Sequence, residues 1–389
     1  MGTSTPAAPL GGYDTLIVGG GVIGLATAWR AAQRGLAVAV IDPEPGSGAS
    51  YASAGMLAPV SEVTHGEEEL LRLNLAALHA YPDFVAELEN AAGLDAGYAG
   101  YRDEGTVQVA LDADDLAVLD DVQRFQEELG IQPQRLSRRE CRRHEPMLAP
   151  AVRGGLLASG DHSVDPRQLT RALLAAAQQR GVTLLRDSAR QLLVEHDRAV
   201  GVVLAEGGEL RAAQVMLAAG CWTPELEGVP PRVLPPVRPV KGQILRLRTE
   251  LPFITRTVRG LVHGSRVYLV PRTHGEIVMG ATQEELGYDT TVTAGGVWEL
   301  LRDARELLPG VTELELVEAR AGLRPGSPDN APFLGPTALP GLLVASGHYR
   351  NGMLLTPVTA DVMAQALATG QVPETAAAFS PRRYEGAFA

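Results

Sequence analysis

The stretch Leu16-Ile17-Val18-Gly19-Gly20-Gly21-Val22-Ile23-Gly24 decides how this chain is read. Asp14 to Val18 reads as a strand, a short apolar run closed by glycines. Val22 to Arg34 has helical spacing, and Gly35 sits where a C-terminal glycine cap belongs. Ala37 to Ile41 is a second apolar run, ending at Asp42. Strand, helix and strand in so short a span form a βαβ unit, which implies a parallel sheet. Gly19, Gly21 and Gly24 supply the G-x-G-x-x-G spacing between strand and helix. The first glycine allows the tight turn. The second lets the backbone approach a pyrophosphate, and the third lets helix and strand pack closely. The helix N-terminus then offers free N–H groups and a positive dipole end to a diphosphate. Asp42 is placed to accept hydrogen bonds from ribose hydroxyls. A glycine-rich turn alone is a weak signal; strand, helix and acid together point to a bound dinucleotide.

Outward from this turn, 389 residues suit two domains rather than one. Hydrophobic residues make up 45% and charged residues 21%, ordinary for a globular enzyme. The net charge of −12 repels phosphate backbones and argues against a nucleic-acid partner. Of the 34 basic residues, Lys241 is the only lysine. The two cysteines, Cys141 and Cys221, have no metal-ligand spacing and make no disulfide framework, which fits a reducing cytoplasm. No metal site is expected. Residues 1–13 read as a disordered leader without the apolar core of a signal peptide. No apolar run is long enough to span a membrane.

Further along, Glu67 to Asn90 reads as a helix, as does a stretch near Leu116–Gly130. Asp165-Pro166 looks like a cap and a first-turn proline opening a helix to about Arg180. Strands are expected at Val182–Leu185, Leu192–Glu195, Val200–Leu204 and Val215–Ala218. Prolines between Pro230 and Pro239 mark a connection, followed by strands Gly242–Leu247, Arg266–Val270 and Glu276–Met279. Val297 to Leu308 is helical, Gly341–Ala345 a strand and Gly352 to Thr369 a helix. The small residues between Gly46 and Leu57 would let the chain run close to a bulky cofactor; from composition alone a surface loop fits equally.

Four segments carry a resemblance: IVGGGVIG (17–24), ASYASAGML (49–57), ARAGLRPGSPDNAPFLG (319–335) and GHYRNGMLLTP (347–357). AAGCW (218–222), PVKGQ (239–243) and VYLVPR (267–272) support it. In these segments the sequence resembles the FAD-dependent D-amino-acid oxidase superfamily, and within it the bacterial glycine oxidases of thiamine biosynthesis. The resemblance implies an α/β fold: a Rossmann-like FAD-binding domain (14–90, 151–229 and 319–389) interleaved with an α+β substrate domain on an antiparallel sheet (91–150 and 230–318). It implies non-covalent FAD, a small amino-acid substrate with dioxygen, and a homotetramer. Carried over as flavin contacts are Val22, Ile23, Asp42, Pro43, Ala49, Ser50, Ala54, Gly55 and Met56, besides the glycines of the turn. His348, Tyr349, Arg350, Asn351, Gly352, Met353 and Leu354 would line the flavin from the last strand–turn–helix. Arg190 would touch the adenine side through its backbone. Tyr51 and Gln283 depart from the pattern and bear on substrate choice.

An amino-acid substrate needs its carboxylate held, and the planar fork of arginine does this best. Arg324, between a strand and a Pro-Gly turn, is the first candidate. Tyr268 resembles the tyrosine that bonds the same carboxylate. Arg350 could face the substrate or pair with an acid. No side-chain base is required: a neutral amine drives hydride transfer from the α-carbon to flavin N5. The imine hydrolyses to a 2-oxo acid and ammonia, and dioxygen reoxidises the flavin to give hydrogen peroxide. The helix expected from Gly352 would stabilise the reduced flavin's negative charge, with Pro357 distorting its early turns. An FAD-dependent dehydrogenase of the same substrates, passing electrons to a quinone or other acceptor, is the alternative.

Overall fold

Apolar runs buried on both faces and alternating runs buried on one face sort the strands into two large sheets. The computed structural model describes residues 12–385. Of the leader expected over residues 1–13, residues 1–11 lie outside the described residues, and Tyr13 already opens the first strand.

The first sheet runs in the order 333–336, 342–346, 209–217, 13–18, 38–41, 183–185. The strands from 342–346 to 183–185 are parallel, as the βαβ reading requires. Leu16, Ile17, Val40 and Ile41 are fully enclosed, the mark of a sheet covered on both faces. Helix Val22–Gln33 packs against helices Pro166–Gln179 and Thr356–Thr369 on one side. Strands Ala189–Glu195 and Arg198–Leu204 hang antiparallel from strand 209–217. Asp165 caps helix 166–179 by accepting from the Arg167 and Gln168 N–H groups, with Pro166 in the first turn.

The second sheet runs 315–326, 238–248, 276–280, 265–271, 257–262, 106–110, 154–158, 134–137. Every pairing is antiparallel except 257–262 with 106–110. Its residues alternate. Leu245, Leu247, Val267, Leu269, Ile277 and Met279 face helix Ala294–Leu307 and share a core with Leu300, Ala304 and Leu307. Ile244, Tyr268, Val270 and Val278 point to the other face, where they meet Ala54 and Met56.

Three expectations change. Strands 154–158 and 315–326 belong to the second sheet, although residues 151–229 and 319–389 were assigned to the nucleotide unit. Strand 315–326 pairs along nearly the whole of strand 238–248, and that long antiparallel ladder outweighs its proximity in sequence to the final βα unit. The last helix starts at Thr356 rather than Gly352, so Pro357 occupies its first turn. A proline there lacks no needed N–H and distorts nothing.

Candidate active site

Between the two sheets lies a cavity of about 1210 Å³. The glycine turn forms one end. Gly19 has φ +108° and a Cβ there would collide with the Ala218 carbonyl. Gly24 lies behind the wall, and a Cβ on it would strike the Gly19 carbonyl. Gly21, Val22 and Ile23 face the cavity. Ser50 Oγ accepts from the Val22 N–H at 3.2 Å. Among the described residues, no group accepts from the N–H of Ile23 or Gly24. The cradle therefore fits a diphosphate at a helix start.

Asp42 stands beside this cradle, but part of its accepting capacity is used. Its Oδ2 accepts from the Gly20 N–H at 2.6 Å and its Oδ1 from the Glu44 N–H at 2.8 Å. These bonds fix the carboxylate at the wall, and each oxygen keeps a further lone pair for a ribose hydroxyl. Pro43, Ala49, Ser50, Ala54, Gly55 and Met56 line the same wall. Arg272, buried beneath, donates to the Ala54 carbonyl, and burial pushes its guanidinium down to about 10. Arg190 itself is not among the cavity-lining residues, although its neighbours Ser188 and Ala189 are; its side chain is exposed and its carbonyl accepts from the Glu227 N–H.

The 347–355 turn closes the other side. Gly347 has φ +76° and Tyr349 φ +48°. His348, Tyr349, Arg350, Gly352 and Met353 line the cavity, whereas Asn351 and Leu354 are buried behind them. No group among the described residues accepts from the Gly352 or Met353 N–H. Tyr81 O–H donates to the Met353 carbonyl at 3.0 Å and pins the turn from below. His348 is enclosed against Thr359, with burial pushing it down to about 3. It is therefore neutral at ordinary pH and adds no charge to the site.

Tyr268 and Arg324 meet on the cavity face of the second sheet. Gly242 makes room: a Cβ there would occupy the space of the Arg324 guanidinium. Gly280, across from Tyr268 in the ladder, does the same for the phenol. Arg324 Nη1 donates weakly to the Lys241 and Thr282 carbonyls at 3.4 and 3.3 Å, and no carboxylate among the described residues pairs with it. Burial raises the Tyr268 pKa against the pull of Arg324, so the phenol stays a neutral donor. Arg350 resolves towards the structural alternative: Nη2 lies 3.2 Å from Glu67 Oε2 and 3.5 Å from the Glu62 carbonyl. Tyr51 is held between Arg167 and Arg320, and Gln283 lies on the cavity wall.

Sequence reasoning missed Glu62, Arg259 and Arg266, all on the wall. Arg259 pairs with Glu62 at 2.6 Å. Burial would raise the Glu62 pKa, but Arg259, Arg350 and Arg324 outweigh it and hold the carboxylate below its usual range. Arg266 had a signal: it lies two residues before Tyr268 on one strand, so both share a face. Glu62 had none, being a lone acid in a loop.

The family described as "FAD dependent oxidoreductase" (DAO) matches residues 14–366. The glycine oxidase of Geobacillus kaustophilus is 34% identical over 96% of this chain and 98% of its own length. A crystal structure of the glycine oxidase from that organism superposes with a TM-score of 0.88, covering 96% of this chain and 99% of the other at 32% identity. The bifunctional protein ThiO/ThiG of Synechocystis is 35% identical over 95% of this chain, which spans 54% of that relative's length. An iminodiacetate oxidase from Chelativorans superposes with a TM-score of 0.83 at 26% identity, covering 94% and 98% of the two chains. The chain belongs to the DAO family of FAD-dependent oxidoreductases and is similar to the glycine oxidases.

Proposed function

We propose that this enzyme oxidatively deaminates glycine and small N-substituted or D-amino acids, with dioxygen as final acceptor. The observation that carries the reading is the guanidinium of Arg324, without a carboxylate partner among the described residues, beside the buried phenol of Tyr268, on a cavity whose far end fits a diphosphate. The glycine and iminodiacetate oxidases among its structural relatives support the same class. Bound non-covalently, FAD would supply the two-electron acceptor that passes reducing equivalents to dioxygen. The turn 19–24 and Asp42 would hold its diphosphate and ribose, and the free N–H groups at 352–353 its other end.

The chain's own residues then position and screen. Arg324 grips the substrate carboxylate through its fork, and Tyr268 donates to the same group. Among the described residues, the acids beside Arg324 and Tyr268 are already paired, Glu62 with Arg259, so the amine arrives neutral or loses its proton to solvent. The 61–65 loop, with Glu62 paired to Arg259 at 2.6 Å, lines the cavity.

We assign the segments of both sheets to two units, with 154–158 and 315–326 placed in the substrate unit. Among the described residues no helix is long and apolar enough to cross a membrane. A cytoplasmic location, a homotetramer and a role in thiamine biosynthesis are part of the same proposal and rest on the resemblance. The test is anaerobic flavin reduction by glycine, sarcosine, iminodiacetate, D-alanine, D-proline and their L-isomers, followed by peroxide release in air. Bleaching by the achiral and D-forms with peroxide is expected. Bleaching without peroxide would favour the dehydrogenase, and no bleaching by any amine would overturn the proposal.

A further inference from the structure

We propose that Arg266 forms a second anion subsite in the cavity, so that the enzyme favours substrates carrying a second negative group besides the α-carboxylate. The inference rests on the proposed amino-acid oxidase reading and extends it to a substrate class.

The argument is a charge balance on one sheet face. Strands 257–262 and 265–271 pair with Arg259 opposite Tyr268 and Leu261 opposite Arg266. Alternation puts Arg266 and Tyr268 on the same side, and both line the cavity. Four guanidiniums gather there: Arg259, Arg266, Arg324 and Arg350. Arg259 is matched by Glu62 at 2.6 Å, and Arg350 by Glu67 at 3.2 Å. Asp121 at the rim is matched by Arg124. Arg324 is reserved for the α-carboxylate. Arg266 is left over: among the described residues it makes no ion pair and no hydrogen bond.

Arg266 is solvent-exposed at the cavity wall and has other guanidiniums for neighbours. Partial burial holds its pKa below the arginine range, and the like charges of Arg259 and Arg350 add to this, while Glu62 opposes them. Glu62 is already engaged by Arg259. A monoanionic substrate with a neutral amine would leave the Arg266 guanidinium to solvent, without a counter-ion. A dianionic substrate balances it, and arginine is suited to a carboxylate or a phosphonate equally. Val118, Val122 and Phe125 also line the cavity, with His65 and Asp121 among them.

The test compares acid with amide of equal size on the FAD-loaded enzyme. Succinate and succinamate are titrated while the flavin absorption is followed, which needs no turnover. Succinate should bind about tenfold or more tightly than succinamate. Arg266→Gln should bring the two together, and Arg266→Lys should restore part of the difference. The same pattern is expected in kcat/KM for D-aspartate against D-asparagine and for N-(2-carboxyethyl)glycine against its amide. The first pair extends the substrate at carbon and the second at nitrogen. Equal binding of acid and amide in the wild type, or a preference that survives Arg266→Gln, would overturn the proposal. Failure of glycine and sarcosine to reduce the flavin would instead count against the function itself, and the succinate arm would still decide on Arg266.

Discussion

At the scale of single residues, the chemistry turns on how charge is placed. Arg324 has no acidic partner and lies over a glycine that only a missing Cβ makes possible. Arg324→Gln should raise KM for small amino acids by about a hundredfold, from the loss of a charge-assisted pair. Arg324→Lys should rescue little of it, because a point charge does not reproduce the fork. Steady-state kinetics on both variants checks this. Asp161 provides a second case. It is fully buried, its Oδ1 accepts from the Val60 and Ser61 N–H groups, and its Oδ2 has no hydrogen-bond partner among the described residues. Burial pushes its pKa from 3.8 up to about 6. A carboxyl whose pKa is raised on folding binds its proton more tightly in the native state. Its contribution is complete below pH 3.8 and is lost as pH rises through about 6. Asp161→Asn should remove that decline, on the order of 3 kcal/mol across the whole titration and about 2 kcal/mol of it between pH 4.5 and 7.5. Urea unfolding of both proteins at pH 4.5 and 7.5 measures it: an unchanged pH dependence in the variant would contradict the assignment.

At the scale of elements, the glycine turn and the 347–355 turn do the same work from opposite sides: each stops the chain with unpaired N–H groups facing the cavity. Both are held from behind. Gly24→Ala should force the helix away from the Gly19 carbonyl, destabilise the fold by about 1–3 kcal/mol and weaken FAD retention. Gel filtration with absorbance at the flavin band would show the cofactor lost. Tyr81→Phe keeps the ring and deletes its bond to the Met353 carbonyl, which retains only the longer bond from the Thr356 N–H at 3.3 Å. It should cost about 1–2 kcal/mol by thermal or urea unfolding. The elements were unevenly legible. The first βαβ unit was clear because its strands are buried on both faces and its turn demands glycine. Strands 106–110, 134–137 and 154–158 were not, because short strands in a one-sided sheet depend on partners far away in sequence. Strand 315–326 was assigned by its neighbours in the chain, whereas its partner, strand 238–248, decides its place. The site shows the same divide. Tyr268 and Arg324 stand in segments that carry their own context, while Glu62 and Arg259 acquire meaning only through contact with each other.

At the scale of the whole molecule, the cavity is a joint between two sheets rather than a hole in either. Residues from the 19–24 turn, the 46–56 stretch, the second sheet and the 347–355 turn all border it. A ligand filling it adds contacts to both units at once and stabilises only the native state. The apo-protein should therefore unfold at lower temperature than the holoenzyme, and the gap should widen with free FAD concentration as mass action requires. At a hundred times the dissociation constant the gain is about 2.7 kcal/mol. The two sheets need not lose stability equally. Each has its own apolar core, one around Trp29 and helix 166–179, the other around Leu269 and helix 294–307. Removing FAD should loosen first the segments that border the cavity with least hold in either core: the 46–56 stretch, the 61–65 loop and residues 347–352, ahead of Met353–Leu355, which belong to the first core. Hydrogen exchange on apo and holo protein resolves this. Protection lost in those three segments, with strands 13–18 and 265–271 unchanged, is the expected pattern. Uniform loss across both sheets would mean instead that the cofactor is required for the fold itself.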